Sequence, residues 1–420
     1  MHRHCTAPAS TGSLPQDSHI LRLIRVSLKY PDRCVALVTL RGGDAQRAMD
    51  LIYKLLRYPE YWREEIPDIS IGYRDFTLPR LFFELGKQAS KQPADFICQG
   101  VQREPVRDFD YAPGGFADVF RGKLIEKDGK LKKGDIVKKY VALKKPRHTL
   151  SMTKDERALQ AESTKHECLM WSPLSHPNIV KFLGVTESNK TLNDVPCMIS
   201  PWRHELLKQI KTMRHQGTYP TTYELDHWLL DIAAGLAYLH SRHIVHANLQ
   251  TSNILVSTEE DCVAQIADFA LSFFADSDIM LLPDFKAIDK TPSPWHAPEL
   301  HIATISELPT RRTFATDTFA FGCVCIELYT SHHPFYGQRD DQAAANVLRG
   351  VIPLQPSTPR GEKMDDALWQ IIALAWLTIL RIAQRWPKFI EGYRLCYPRV
   401  RTNILNSFNP PRIFHWIPIN

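Results

Sequence analysis

Ile244-Val245-His246-Ala247-Asn248-Leu249-Gln250-Thr251-Ser252-Asn253-Ile254-Leu255 is the stretch that decides how this chain folds. Apolar pairs enter and leave it, and between them lie one imidazole, His246, and three neutral amides, at 248, 250 and 253. Fifteen residues past Asn253, after a strand-like Cys262 to Ile266, comes Ile266-Ala267-Asp268-Phe269-Ala270, which sets one carboxylate beside an apolar run.

Upstream of this stretch the hydrophobic period changes twice. Residues 20–100 read as mainly helical. One helix is expected from an N-cap at Asp44, repeating Ala48, Met49, Ile52, Leu55 and Leu56 on one face. Another is expected from Leu78-Pro79, with proline in its first turn, through Leu81, Phe82 and Leu85. From Asp108 strands take over. Ala117-Asp118-Val119-Phe120 leads through a charged hairpin (Asp128-Gly129, Lys133-Gly134) to Tyr140-Val141-Ala142-Leu143-Lys144. A helix over Asp155 to Trp171 follows, then strands at Ile179 to Val185 and Cys197 to Ser200. After Pro220 the chain turns helical, with Leu225, Trp228, Leu229, Ile232, Leu236 and Leu239 on one stripe. Strands first and helices second give an α+β plan with two lobes.

Composition excludes several classes. The 420 residues are 44% hydrophobic and 23% charged, with a net charge of +6, too mild a bias for a nucleic-acid binder. The lysines at 130, 132, 133, 138 and 139 read as a solvated hairpin face. The nine cysteines lack framework spacing, and Cys323 and Cys325 sit in an apolar run as small hydrophobes. The uncharged apolar stretch Ala367 to Leu380 is shorter than the roughly 20 residues a membrane span needs and reads as a core helix. With no secretory leader pattern, a soluble cytoplasmic protein is expected. The spacing His240, His243, His246 straddles a helix end and a loop without a further Cys or His ligand, so no metal is assigned there.

From about residue 108 to 395, roughly two-thirds of the chain, motif order and spacing resemble a eukaryotic protein kinase, most similar in detail to the tyrosine-kinase-like group. The resemblance implies a bilobal kinase-like fold with an N-lobe over 106–202 and a C-lobe over 203–395. A helical region (20–105) and a disordered start (1–19) precede it, and an irregular tail (396–420) follows. It also implies ATP and Mg²⁺ as ligands and a protein as substrate or partner. Gly114 and Gly115 fall where the glycine-rich loop covers phosphates, although only Gly114 matches one of its three glycines; Val119 follows. Val141-Ala142-Leu143-Lys144 matches the lysine strand, with Ala142 and Lys144 on one face, and Glu167 is the expected partner of Lys144. Ser200 and Trp202 fall at the adenine-binding hinge, with the backbone of 201–203 meeting the base. Asn253 and Asp268 match the two metal-holding positions. Ala297-Pro298-Glu299 is intact, with Arg385 a candidate partner for Glu299. Asp317 matches the acid that bonds the catalytic-loop backbone. Ser272, Ser277, Thr291 and Ser293 lie in the activation segment and serve as loop polars or phosphosites.

The catalytic loop departs from the family pattern His-Arg-Asp-Leu-Lys-x-x-Asn. His246, Leu249 and Asn253 agree; Ala247, Asn248 and Gln250 do not. An amide has no basic site near pH 7, so Asn248 can hold a hydroxyl but not take its proton, a loss of about 10²–10⁴ in rate. Gln250 offers a dipole where lysine offers charge. Ala247 removes the arginine that meets a phosphorylated loop, and Ala270 replaces the glycine after Asp268-Phe269, restricting the backbone there. The expectation is an ATP-binding pseudokinase that acts as a signalling scaffold. The alternatives are a weakly active protein kinase, or a partner-binding module built on residues 20–105.

Overall fold

In the computed structural model, residues 15–30, 33–103, 111–113, 117–126, 137–147, 152–186, 196–257, 262–275, 293–301 and 312–384 are described. The lysine-rich hairpin turn, Gly114, Gly115, Ser277, Thr291, Arg385 and the tail over 396–420 lie outside them. The chain divides into two compact units. One comprises residues up to Arg203 together with 237–244 and 257–274; the other comprises 204–236, 245–256 and everything from Ala275 onward.

In the first unit, helices α1 (Pro15–Lys29), α2 (Val35–Val38), α3 (Gly42–Arg57), α4 (Pro59–Glu65) and α5 (Ile71–Ala89) share a compact body with the sheet. The boundary expected at 105/106 falls inside this unit and after two strands of its sheet, Ile97–Cys98 and Val101–Arg103, and helix begins at Pro15, inside the start expected to be disordered. Ala48, Met49, Ile52 and Leu55 are buried as their spacing predicts. Asp44 is not the cap of α3. It lies in the first turn and pairs with Arg47, while Arg41 holds the N-cap position without a side-chain bond.

Helix α5 starts at Ile71, seven residues before the predicted start, because Ser70 caps it by accepting from the Gly72 N–H. Pro79 consequently lies inside the helix, where it lacks the N–H that would bond the carbonyl four residues back, at Asp75. The Arg242 guanidinium donates to that carbonyl instead and also pairs with the Asp75 carboxylate at 3.5 Å. Proline in a helix interior costs about 3 kcal/mol, and a tertiary donor on the orphaned carbonyl offsets part of it.

The seven-stranded sheet runs β1-β6-β7-β5-β4-β2, with β3 also on β4. Its members are β1 (Ile97–Cys98), β2 (Val101–Arg103), β3 (Tyr111–Pro113), β4 (Ala117–Glu126), β5 (Val137–Pro146), β6 (Gly184–Thr186) and β7 (Met198–Pro201). Strand β6 is shorter than expected. Ile179 makes only an isolated bridge to Ile266. On one sheet face Val141, Leu143, Cys197 and Ile199 close a core. Helix α6 (Lys154–Trp171) opens with a capping box in which Thr153 and Glu156 satisfy each other's backbone N–H groups.

The second unit is mainly helical. β8 (His204–Glu205) pairs antiparallel with β9 (Ile254–Val256). α7 (Leu206–His215) and most of α8 (Thr222–Ser241) precede the loop of interest, and α9 (Phe314–Thr330), α10 (Asp340–Leu348) and α11 (Asp366–Gln384) follow. The predicted stripe of α8 is buried throughout. Ala367 to Leu380 is helical as expected, within α11. Its Trp376 stacks on Phe319 at 4.9 Å and donates to the Phe319 carbonyl at 3.1 Å. A Cβ on Gly322 would sit 2.2 Å from the Trp376 ring nitrogen, so only glycine fits there. Cys323 and Cys325 are fully buried, and burial raises both thiols. No helix among the described residues is long and apolar enough to cross a membrane.

Candidate active site

The candidate residues of the first unit are placed by sheet register. Val119 lies opposite Lys144 on β4 and β5, and Ala142 lies opposite Ser200 on β5 and β7. Side chains directly opposite one another, or two apart along a strand, share a face. Val119, Ala142, Lys144 and Ser200 are thus brought to one side of the sheet, with the Val141–Leu143 core on the other.

The Lys144 ammonium donates to Glu167 Oε1 at 2.6 Å and to Asp268 Oδ1 at 2.6 Å. Glu167 reaches it from α6, with 4% of its side chain exposed; Asp268 is 28% exposed and Lys144 21%. Burial works against the lysine's charge, but Asp268 and Glu167 together more than offset it, so its pKa stands above the ordinary lysine value. Burial pushes the Glu167 carboxyl up, opposed by Lys144.

Asp268 is positioned by what precedes and follows it. Ile266 exchanges backbone bonds with Asn178 and Val180, at 2.9 Å each. Phe269 is fully buried, with its ring 5.9 Å from Trp171. Between these anchors Asp268 takes a left-handed backbone, φ 69°. Aspartate tolerates this region better than most residues do.

At the hinge, Ser200 is buried on β7. The Trp202 N–H, expected among the groups facing a base, donates to the Tyr140 carbonyl at 3.1 Å. Pro201 has no N–H, so neither of these two supplies a free donor from its backbone.

The candidate residues of the second unit lie on the loop through Asn248. Asp317, near the start of α9, accepts the His246 N–H on Oδ2 at 2.8 Å and the Ala247 N–H on Oδ1 at 2.9 Å, the scaffold bonds expected of it. His246 is fully buried, and its Nδ1 accepts the Asn248 N–H at 3.3 Å. The Asn253 side-chain amide donates to the Asn248 carbonyl at 2.8 Å, and Gln250 Nε2 lies 3.5 Å from Asn248 Oδ1. The Gln250 amide thus meets the Asn248 side chain and the Asn253 amide meets the Asn248 backbone, and among the described residues no carboxylate is bonded to the Asn248 side chain. Ala247 itself is left-handed, φ 69°.

Sequence reasoning missed Arg312. It is buried, donates to the Ala247 carbonyl and lies 3.3 Å from the His296 ring. No motif flags it, because its role arises only when the chain returns to the loop. Burial, Arg312 and His301 hold His296 at a pKa of about 3; burial takes His301 to about 4, so both are neutral at pH 7. Glu299 is buried, and burial raises its carboxyl. Glu327 accepts from Trp295 Nε1 at 3.0 Å. Among the described residues no cluster of three or more His, Cys, Asp or Glu is placed to hold a metal ion.

Residues 110–382 match the family model described as protein tyrosine and serine/threonine kinase. Mitogen-activated protein kinase kinase kinase 3 of Arabidopsis thaliana is 28% identical over 54% of this chain and 35% of its own length. A probable serine/threonine-protein kinase of Dictyostelium discoideum is 31% identical over 60% of this chain and 44% of its own length. The human serine/threonine-protein kinase Nek5 is 27% identical over 48% of this chain and 26% of its own length. The chain thus spans less than half the length of these relatives. With a motif order that runs from the Lys144 strand to Asp317, and a family match over most of its described residues, the chain belongs to the protein kinase family and carries its fold, a β-sheet N-lobe and a helical C-lobe.

Proposed function

We propose that this protein binds ATP with Mg²⁺ through its sheet unit and acts as a pseudokinase of the tyrosine-kinase-like type, a signalling scaffold whose phosphoryl transfer is crippled. The observation that carries the reading is the neutral amide set Asn248–Gln250–Asn253, which stands where a base and a cation would serve transfer. Without a carboxylate at 248 an incoming hydroxyl is oriented but keeps its proton. Without a cation at 250 the transferring phosphoryl loses an electrostatic partner.

Nucleotide binding is supported by the sheet unit. Lys144 is held charged on the same sheet face as Val119, Ala142 and Ser200, with Asp268 partly open to solvent. The Asp268 carboxylate of the sheet unit, partly open to solvent, is a hard oxygen donor of the kind Mg²⁺ takes, and the Asn253 side chain of the helical unit carries another. Mg²⁺ would neutralise phosphate charge when bound. Lys144 would hold the α and β phosphates, and Glu167 would keep it aimed.

The second reading is a slow protein kinase acting on protein hydroxyls. It is favoured by the complete Lys144–Glu167–Asp268 network, since phosphoryl transfer is loose and depends more on positioning than on base strength.

Two measurements separate these readings. ATP with Mg²⁺ at about 100 times its dissociation constant should stabilise the folded protein by about 2.7 kcal/mol, and absence of any shift would remove the nucleotide-binding claim. With labelled ATP and a generic protein substrate, the wild type should show no transfer above Asp268→Ala. Transfer that Asp268→Ala abolishes would establish the slow kinase.

A further inference from the structure

Helix α6 brings Glu167 to Lys144, and its far side is covered by this chain's own α5. The approach is close. A Cβ on Gly86 would lie 2.7 and 2.8 Å from the two methyls of Leu169, two residues along α6 from Glu167, and 3.0 Å from the terminal methyl of Met49 on α3. Phe83 packs edge-on against His166 at 5.2 Å and against Phe274 at 5.7 Å, and His166 in turn bonds the Ser272 carbonyl at 2.8 Å. At the end of α5, Lys165 donates to Ser90 at 3.1 Å; at its middle, Arg242 holds Asp75. Gly86, Phe83, Leu169 and His166 are all buried. A second route is aromatic. Tyr53 of α3 meets Phe96 at 5.1 Å, Phe96 meets Phe182 at 5.1 Å, Phe182 meets Trp171 at 5.3 Å, and Trp171 meets Phe269 beside Asp268.

We infer that Gly86 and Phe83 are positioning residues: the amino-terminal helical layer is a built-in brace that fixes α6 so that Glu167 stays on Lys144. Packed interiors yield in discrete steps and not continuously, so a brace on the back of α6 is transmitted to its front. The layer is therefore part of the lysine site and is not a free partner-binding module. The consequence for nucleotide holding rests on the ATP reading above; the brace itself does not.

The test reads the Lys144–Glu167 pairing without nucleotide. In the full-length protein, the rate at which a small amine-acetylating reagent labels Lys144 is measured by mass spectrometry at one fixed pH. Gly86→Leu exceeds what the Leu169 methyls can yield and should raise that rate about tenfold, as expected for loss of one hydrogen bond between charged groups. Phe83→Ala should raise it by a smaller factor. Gly86→Leu with Leu169→Ala, which returns the volume, should restore the wild-type rate. In a Glu167→Gln background, Gly86→Leu should add nothing, because the pairing through which it acts is already gone. The brace is overturned if the folded Gly86→Leu and Phe83→Ala proteins label like wild type, or if Gly86→Leu raises the rate equally in the Glu167→Gln background. ATP titration of the same proteins addresses the nucleotide reading separately: a wild type that ignores ATP sinks that reading and leaves the labelling result standing.

Discussion

The lysine site and the amide loop differ in what they bury. Around Lys144 the protein buries charge and pairs it, one ammonium between two carboxylates. Around Asn248 the side chains are neutral and half-buried, and the buried charges beside them, Asp317 and Arg312, bond the loop's backbone. The first arrangement stores a field that a polyphosphate can use. The second holds a loop in shape, with Asp317 accepting the His246 and Ala247 amides while position 248 carries a neutral amide.

The largest effect should come from breaking the charged half. Lys144→Met leaves Glu167, almost fully buried, without its cation. Removing one partner of a buried ion pair costs about 3–5 kcal/mol. The urea midpoint should fall accordingly, and any stabilisation by ATP should vanish. At the loop, Asn248→Ala removes only half-exposed amide contacts and should cost about 1 kcal/mol or less. Equal losses from the two substitutions would dissolve the contrast.

The neutral half should instead be sensitive to acid. His296 and His301 titrate at about 3 and about 4 in the folded protein, against about 6.5 unfolded. A depressed folded pKa means that the unfolded chain binds more protons below about pH 6.5. The stability these groups contribute is therefore complete above that pH and is lost as pH falls toward 4. The slope should approach about 1.4 kcal/mol per pH unit for each histidine in that window. Hydrogen exchange corrected for its intrinsic pH dependence should show α9 opening between about pH 6 and 4.5. His301→Asn, which keeps a donor toward the His296 carbonyl, should remove about half of the slope. An unchanged slope in that variant would place the acid sensitivity elsewhere.

How legible each half was follows from the range of the contacts involved. Lys144, Glu167 and Asp268 were readable because strand alternation and fixed motif spacing are local properties. The face shared by Val119, Ala142 and Ser200 followed from alternation plus register. Arg312, Arg242 and Gly86 were not readable. Each owes its role to a carbonyl or methyl contributed by residues more than sixty positions away, and nothing in a local window marks such a residue. The placement of Pro79 failed for the same reason. Proline usually opens a helix, and α5 runs through it with a donor arriving from Arg242. The partner of the Trp202 N–H was not readable either, because the carbonyl that takes it belongs to a neighbouring strand of the sheet.

The smallest prediction compares one backbone angle in both halves. Ala247 and Asp268 each sit at φ 69°. For alanine that region costs about 1–2 kcal/mol because its Cβ crowds the following carbonyl, and the buried Ala247 methyl returns about 0.8 kcal/mol of it. Glycine removes the strain but also loses that burial and releases more chain entropy on unfolding, so Ala247→Gly should stabilise by at most about 0.5 kcal/mol net. Asp268→Gly relieves the same angle yet removes a carboxylate from Lys144, and there the lost pairing outweighs the relief. A calorimetric melt should thus move up for the first variant and down for the second. If both move down, the Ala247 backbone is not strained as its angle implies, and the loop's shape comes from the Asp317 and Arg312 bonds at no conformational cost.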